Sequence, residues 1–143
     1  MSEFDHERLD VYRTAIEFVV IANEIAEQLP RGRGYLADQL QRAATSIPLN
    51  IGEGAGEFSS GDKARFYRMG RRSATECAAI LDVCRRLRLV PDGTFTAARE
   101  LLIRTVSMLV RIVRNLDGQA QAVTADPEPG TGTGTGTGTT ATR

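Results

Sequence analysis

Four stretches of this chain, each longer than twenty residues, repeat apolar side chains at helical spacing and are separated by glycine and proline. No window alternates with period two over enough residues to suggest a strand. The first stretch runs from about Glu7 to Leu29, with Leu9, Tyr12, Ile16, Val19, Ala22, Ala26 and Leu29 on one face and Asp10, Arg13, Glu17, Glu24 and Glu27 largely opposite. Pro30 and the turn Arg31-Gly32-Arg33-Gly34 end it. A second, from about Tyr35 to Glu57, turns Leu36, Leu40, Ala44, Ile47 and Ile51 inward and contains Pro48, whose ring should collide with the carbonyl of Ala44 and kink the helix. The third begins near Ser60, capped by Ser59 or Ser60, and runs to about Leu89 with Phe66, Gly70, Ala74, Cys77, Leu81, Cys84 and Leu87 inward. After Pro91-Asp92-Gly93, the fourth runs from about Thr94 to Leu116 and sets Phe95, Leu102, Leu109 and Leu116 at sevens, with Gly118 as its expected cap.

Short connections between long amphipathic helices force neighbours to run antiparallel, so the expected fold is all-α, an up-down-up-down four-helix bundle spanning 1–118. Ile103, Val106, Val110 and Val113 widen the apolar face of the fourth helix beyond its seam, which predicts contact with another chain. From Gln119 to Arg143 the only large aliphatic residue is Val123, and Gly130 to Thr140 is nearly pure Gly-Thr alternation. Such a composition cannot offset ordering entropy, so 119–143 is expected to be a disordered tail, either a tether or a repeat expansion without a role.

At 143 residues the chain has room for one core, and no apolar run approaches the roughly 20 residues that span a bilayer. Its start, Met-Ser-Glu-Phe-Asp-His, lacks the basic and apolar regions of a signal peptide, so a cytoplasmic protein without a membrane partner is expected. Cys77 and Cys84 lie seven residues apart, about 10.5 Å along a helix, too far for a bridge between them. They read as reduced core residues. Charge is more informative than its sum of zero. Residues 1–30 hold seven acids and two arginines, whereas residues 63–114 hold twelve bases and four acids. On a helical projection Arg65, Arg68, Arg72 and Arg86 fall within about 60° of arc, and Arg104, Arg111 and Arg114 within about 80° on the next helix. Two basic stripes of this kind are the footprint of phosphate contact, because guanidinium presents a fixed fork of donors. The alternative is a solvated face, or a basic side that pairs head to tail with the acidic first helix of another copy.

Catalytic patterns are poorly supported. Glu3-Phe4-Asp5-His6 has the Glu-x-x-His spacing of di-iron bundles without the second motif they need, which leaves His6 in a frayed terminus. The run Gly56 to Lys63 departs in spacing from a phosphate-binding loop and follows no strand, so it reads as an interhelical turn. Ser46, Asn50 and Glu53 line one flank of the second helix and Ser73 with Glu76 repeat the pattern on the third. They read either as an acid-base site with two carboxylates or, preferably, as a network that satisfies backbone groups freed by Pro48. No enzyme activity, cofactor or metal is expected.

These motifs in order, Leu9-Asp10-Val11-Tyr12, Asp38-Gln39-Leu40 with Arg42-Ala43-Ala44, Ser46-Ile47-Pro48-x-Asn50-Ile51-x-Glu53-Gly54, then Phe66 with Ser73 and Glu76, resemble a bacterial family. It is the four-helix-bundle family encoded in intervening sequences of 23S ribosomal RNA genes, and the resemblance covers roughly Phe4 to Leu116. It implies a closed cyclic homo-oligomer, typically pentameric, with no enzymatic activity. The family's relatives include the accessory variability protein of diversity-generating retroelements, a basic barrel that binds nucleic acid and a reverse transcriptase. On that footing the expected partners are further copies of the chain, RNA or DNA, and a reverse transcriptase. Family members tend to have alanine and glycine where this chain has Gly52 and Arg72.

Overall fold

The computed structural model describes residues 4–125 of the chain, and over these residues it is an all-α four-helix bundle. A 3₁₀ turn over Asp5–Arg8 precedes α1 (Asp10–Gln28), α2 (Gly34–Ala55), α3 (Ser60–Arg86) and α4 (Asp92–Ala125). Each helix packs on its two neighbours around the bundle, α1 on α2 and α4 and α3 on the same pair, and no backbone approaches closely across either diagonal. The core fills the space between the four helices. Phe18, Leu40, Ile47, Ile51, Leu81 and Leu109 are its largest fully buried side chains.

Helix ends follow from local chemistry. Leu29 is already extended, as the residue before a proline must be, and α1 stops there. The Ser59 hydroxyl accepts the amide of Asp62 at 3.0 Å and so caps α3. Lys63, the chain's one lysine, donates to the carbonyl of Ala55 at 3.0 Å and closes the C-terminus of α2. The resemblance of Gly56 to Lys63 to a phosphate loop therefore resolves into an interhelical turn whose lysine is a cap. At the end of α3 the amide of Leu89 reaches the carbonyl of Cys84 at 2.8 Å, and Arg88 sits at φ 59°. This is a Schellman closure with arginine in the left-handed position that glycine usually takes. The helix thus ends before Leu89, and no glycine announced it.

The bundle corrects several sequence expectations. The buried face of α1 is Val11, Thr14, Ala15, Phe18, Ala22, Ile25 and Ala26; of the residues expected inward, Ala22 and Ala26 are buried, Leu9, Tyr12, Val19 and Leu29 are half-buried at its edge, and Ile16 is exposed. On α3, Leu87 is exposed and Tyr67 and Ile80 are buried. The surplus apolar face of α4 is mostly used inside the bundle: Val113 is buried, Val106 and Val110 are half-buried, and Ile103 alone of the four is exposed. Gly118 does not cap α4, which continues through Ala125, so the first residues of the expected tail, 119–125, are helical. The rest of that tail lies outside the described residues. No helix among the described residues is long and apolar enough to cross a membrane.

Candidate nucleic-acid interface

With Ala64, Tyr67, Gly70, Ala74 and Cys77 buried, the geometry of α3 turns Arg65, Arg68 and Arg72 outward, and all three are exposed. The Arg65 guanidinium carbon lies 4.6 Å from the centroid of the Phe66 ring, which holds the side chain flat along the helix. Arg68 donates through one nitrogen to both carboxylate oxygens of Asp117, at 2.9 and 3.0 Å. Arg68, Arg71, Arg72 and Thr75 line a shallow depression of about 370 Å³. Arg71 belongs to this cluster although it falls outside the predicted arc; its place three residues after Arg68 was the available signal. Arg86 is exposed in the last turn of α3, fourteen residues and about 21 Å along the axis from Arg72, so it does not join the group.

The predicted second stripe divides. Arg104 and Arg111 share a groove of about 440 Å³ with Asp10 and Glu17 of α1. The groove also holds Arg13, which pairs with Asp10 at 3.3 Å, so the acids of α1 offset its three arginines only in part. Arg114 is exposed and stands one turn before Asp117, on the side of α4 that leads to Arg68. Among the described residues Arg71, Arg72, Arg104, Arg111 and Arg114 make no ion pair, whereas Arg68 does.

The polar residues of α2 and α3 have a structural role. Ser46 and Ser73 hydroxyls are 2.8 Å apart, and the Asn50 amide donates to both the Ser46 hydroxyl, at 3.0 Å, and the Ser46 carbonyl, at 2.9 Å. This ties the two helices together beside Pro48, which is buried while α2 runs on through it to Ala55. Glu53 and Glu76 stay out of the network. Both are exposed, and Glu53 instead lines a cleft with His6, Tyr12, Pro48, Leu49, Gly52, Gly56 and Glu57. The two-carboxylate site is not assembled.

His6 is not in a frayed end. Its ring meets Tyr12 edge-on at 4.5 Å between centroids and stacks on Phe4 at 5.8 Å, and a side chain added at Gly52 would touch it at 3.8 Å. No three His, Cys, Asp or Glu side chains among the described residues converge as metal ligands. Cys77 and Cys84 are free thiols in the core. Burial, reinforced by the neighbouring Glu76 carboxylate, pushes the Cys77 thiol from 9.0 up to about 12, and burial pushes Cys84 up as well. Because folding raises these values, their contribution to stability is complete below pH 9 and is lost as pH climbs toward 12. We expect the folded protein to resist iodoacetamide at pH 7 and its melting temperature to fall above pH 9; rapid labelling at pH 7 would contradict the buried, protonated assignment.

The sequence profile of the 23S rRNA-intervening sequence protein family matches residues 7–111. A crystal structure from Bacteroides thetaiotaomicron, of a protein with unknown function from the S23 ribosomal protein family, superposes with a TM-score of 0.68 at 20% identity. The match covers 72% of this chain and 97% of that one. No curated protein matches the sequence.

Proposed function

The chain belongs to the 23S rRNA-intervening sequence protein family, and on that footing we propose that it is a non-enzymatic homo-oligomer, a closed pentameric ring in the family manner, that binds RNA or DNA through the arginines of α3. The observation that carries this reading is the run Arg65, Arg68, Arg71 and Arg72, four exposed guanidiniums within about two turns of one helix. Guanidinium is the side chain best suited to phosphate, and a ring would repeat the cluster in every subunit so that weak contacts add through multivalency. Exposed apolar residues on the outer faces, Ile16 and Val20 on α1 and Ile103 on α4, supply material for subunit contact. A reverse transcriptase engaged on its template is the kind of nucleoprotein such a ring would serve as an accessory factor.

Binding should depend on nucleic-acid length, ignore base sequence, and weaken steeply with salt, because each neutralised phosphate releases counterions. The test is retention of long RNA and of duplex DNA across a salt series, with light scattering on the same preparation. A mass that is a multiple of 15.5 kDa and a steep salt slope are expected. Failure to retain either polymer at low salt would remove the nucleic-acid reading, and a monomer at micromolar concentration would remove the ring.

A second reading draws on Arg104 and Arg111, which line one groove with Arg13, Asp10 and Glu17. A groove that mixes arginines with carboxylates fits a protein-only adaptor or scaffold, in which the basic faces serve subunit or partner contacts. Such contacts respond far less to salt than phosphate contacts do.

A further inference from the structure

The depression on α3 has one neighbour that the nucleic-acid reading does not use. Asp117 lies beyond the point where the sequence pattern of α4 ends, and its carboxylate is engaged by Arg68. Two residues on, Gln119 accepts a hydrogen bond from the Ser60 hydroxyl at 3.3 Å, so the extension of α4 is attached to the first turns of α3 at two points. A carboxylate held by an arginine presents the same two-oxygen pattern as a phosphate.

We propose that the depression lined by Arg68, Arg71 and Arg72 is a phosphate subsite for the nucleic-acid backbone and that Asp117 is its built-in competitor, occupying Arg68 until a phosphate displaces it. The inference rests on the function proposed above. Thr75 completes the wall without contributing a donor to the anion, since its hydroxyl is turned back on the Arg71 carbonyl at 3.1 Å. Donation to phosphate therefore falls to three guanidiniums, two of which have no ion-pair partner among the described residues. Arg68 reaches Asp117 through Nη2 alone, and each side chain of the pair is about half exposed, 48% and 49%. Exposed pairs of this kind are weak, which is the property a displaceable competitor needs. Freed from Asp117, Arg68 would offer its full fork.

The test uses the full-length chain and a labelled 30-nucleotide oligouridine at low salt. Asp117→Asn should tighten binding about two- to fivefold and steepen the logarithmic salt slope by about one phosphate. Glu100→Gln is the control, since Glu100 is an exposed acid of α4 outside the depression. It loses the same charge and should change affinity less. In an Arg68→Ala background the gain from Asp117→Asn should vanish, because the competition acts through that one guanidinium. Equal gains for the two single variants, or a gain that survives Arg68→Ala, would overturn the competitor while leaving nucleic-acid binding intact. If the wild type and every variant leave the oligouridine unbound, the proposed function fails and the subsite with it. Melting temperatures within a few degrees of wild type establish that each variant is folded.

Discussion

Replacing Gly54 by alanine should lower stability by about 2 kcal/mol, whereas the same change at Gly70 should raise it by up to about 1 kcal/mol. A Cβ at Gly54 would lie 2.7 Å from Cε1 and 2.9 Å from Cδ1 of Tyr67, and 3.2 Å from Cβ of Phe66. Tyr67 is only 4% exposed and cannot swing away without dislodging its neighbours, so α2 and α3 would have to separate. The usual helix-propensity gain of alanine offsets little there, because Gly54 sits in the last turn of α2. At Gly70 a Cβ meets the Ile47 carbonyl at 3.6 Å and the side chains of Asn50 and Leu109 at 3.7 Å, all ordinary contact distances. There the backbone-entropy gain in mid-helix prevails. Denaturant titration of the two variants decides it, and equal shifts in the same direction would mean that the close approach at Gly54 is not what holds α2 to α3.

The same close approach belongs to a run, Ser46 to Gly54, that joins α2 to α3. Ser46 binds across to Ser73 and is itself held by Asn50, Ile47 and Ile51 are wholly buried, Pro48 is buried between them, and Gly54 lets Tyr67 approach. Every one of these is a packing role. Glu53 and Leu49 are exposed instead and line the cleft beside His6.

The number, type and order of the helices were legible because periodicity over twenty or more residues averages out single exceptions. Which face of α1 was inward was not, since nearly every turn of that helix offers apolar residues in two directions. Val11 and Phe18 compete with Tyr12 and Ile16, and only the positions of α2 and α4 choose between them. The end of α3 was missed because its left-handed residue is Arg88 rather than glycine, and the end of α4 because Gly118 was read as a cap in a segment whose helix continues. The arginine stripes were legible as periodicity but not as a site. A projection of one helix cannot show that Arg104 and Arg111 share a groove with α1 residues of both signs, nor that Asp117 reaches Arg68.

That division of the stripes makes the largest functional effect specific to α3. Changing Arg65, Arg68 and Arg72 to glutamate should weaken retention of long RNA by about 100-fold or more at low salt and flatten the salt slope by about two phosphates, since Arg65 and Arg72 each supply a full neutralising contact whereas Arg68 is offset by Asp117. All three side chains are exposed, so the fold should persist, with loss of the Arg68–Asp117 pair costing less than about 1 kcal/mol. Changing Arg104 and Arg111 to glutamate tests the other groove, where the new carboxylates would join Asp10 and Glu17 and leave Arg13 as the one base in the lining. Four acids gathered in one groove should lower stability by about 1 kcal/mol and leave most nucleic-acid binding in place. Retention assays on the two variants, run with light scattering, separate three outcomes. Loss in the α3 variant alone supports the α3 surface. Loss in the α4 variant alone moves the interface to the α1–α4 groove and overturns the assignment. Dissociation of the α3 variant into monomers would make its arginines subunit contacts, and the protein-only scaffold would then be the function that the charges serve.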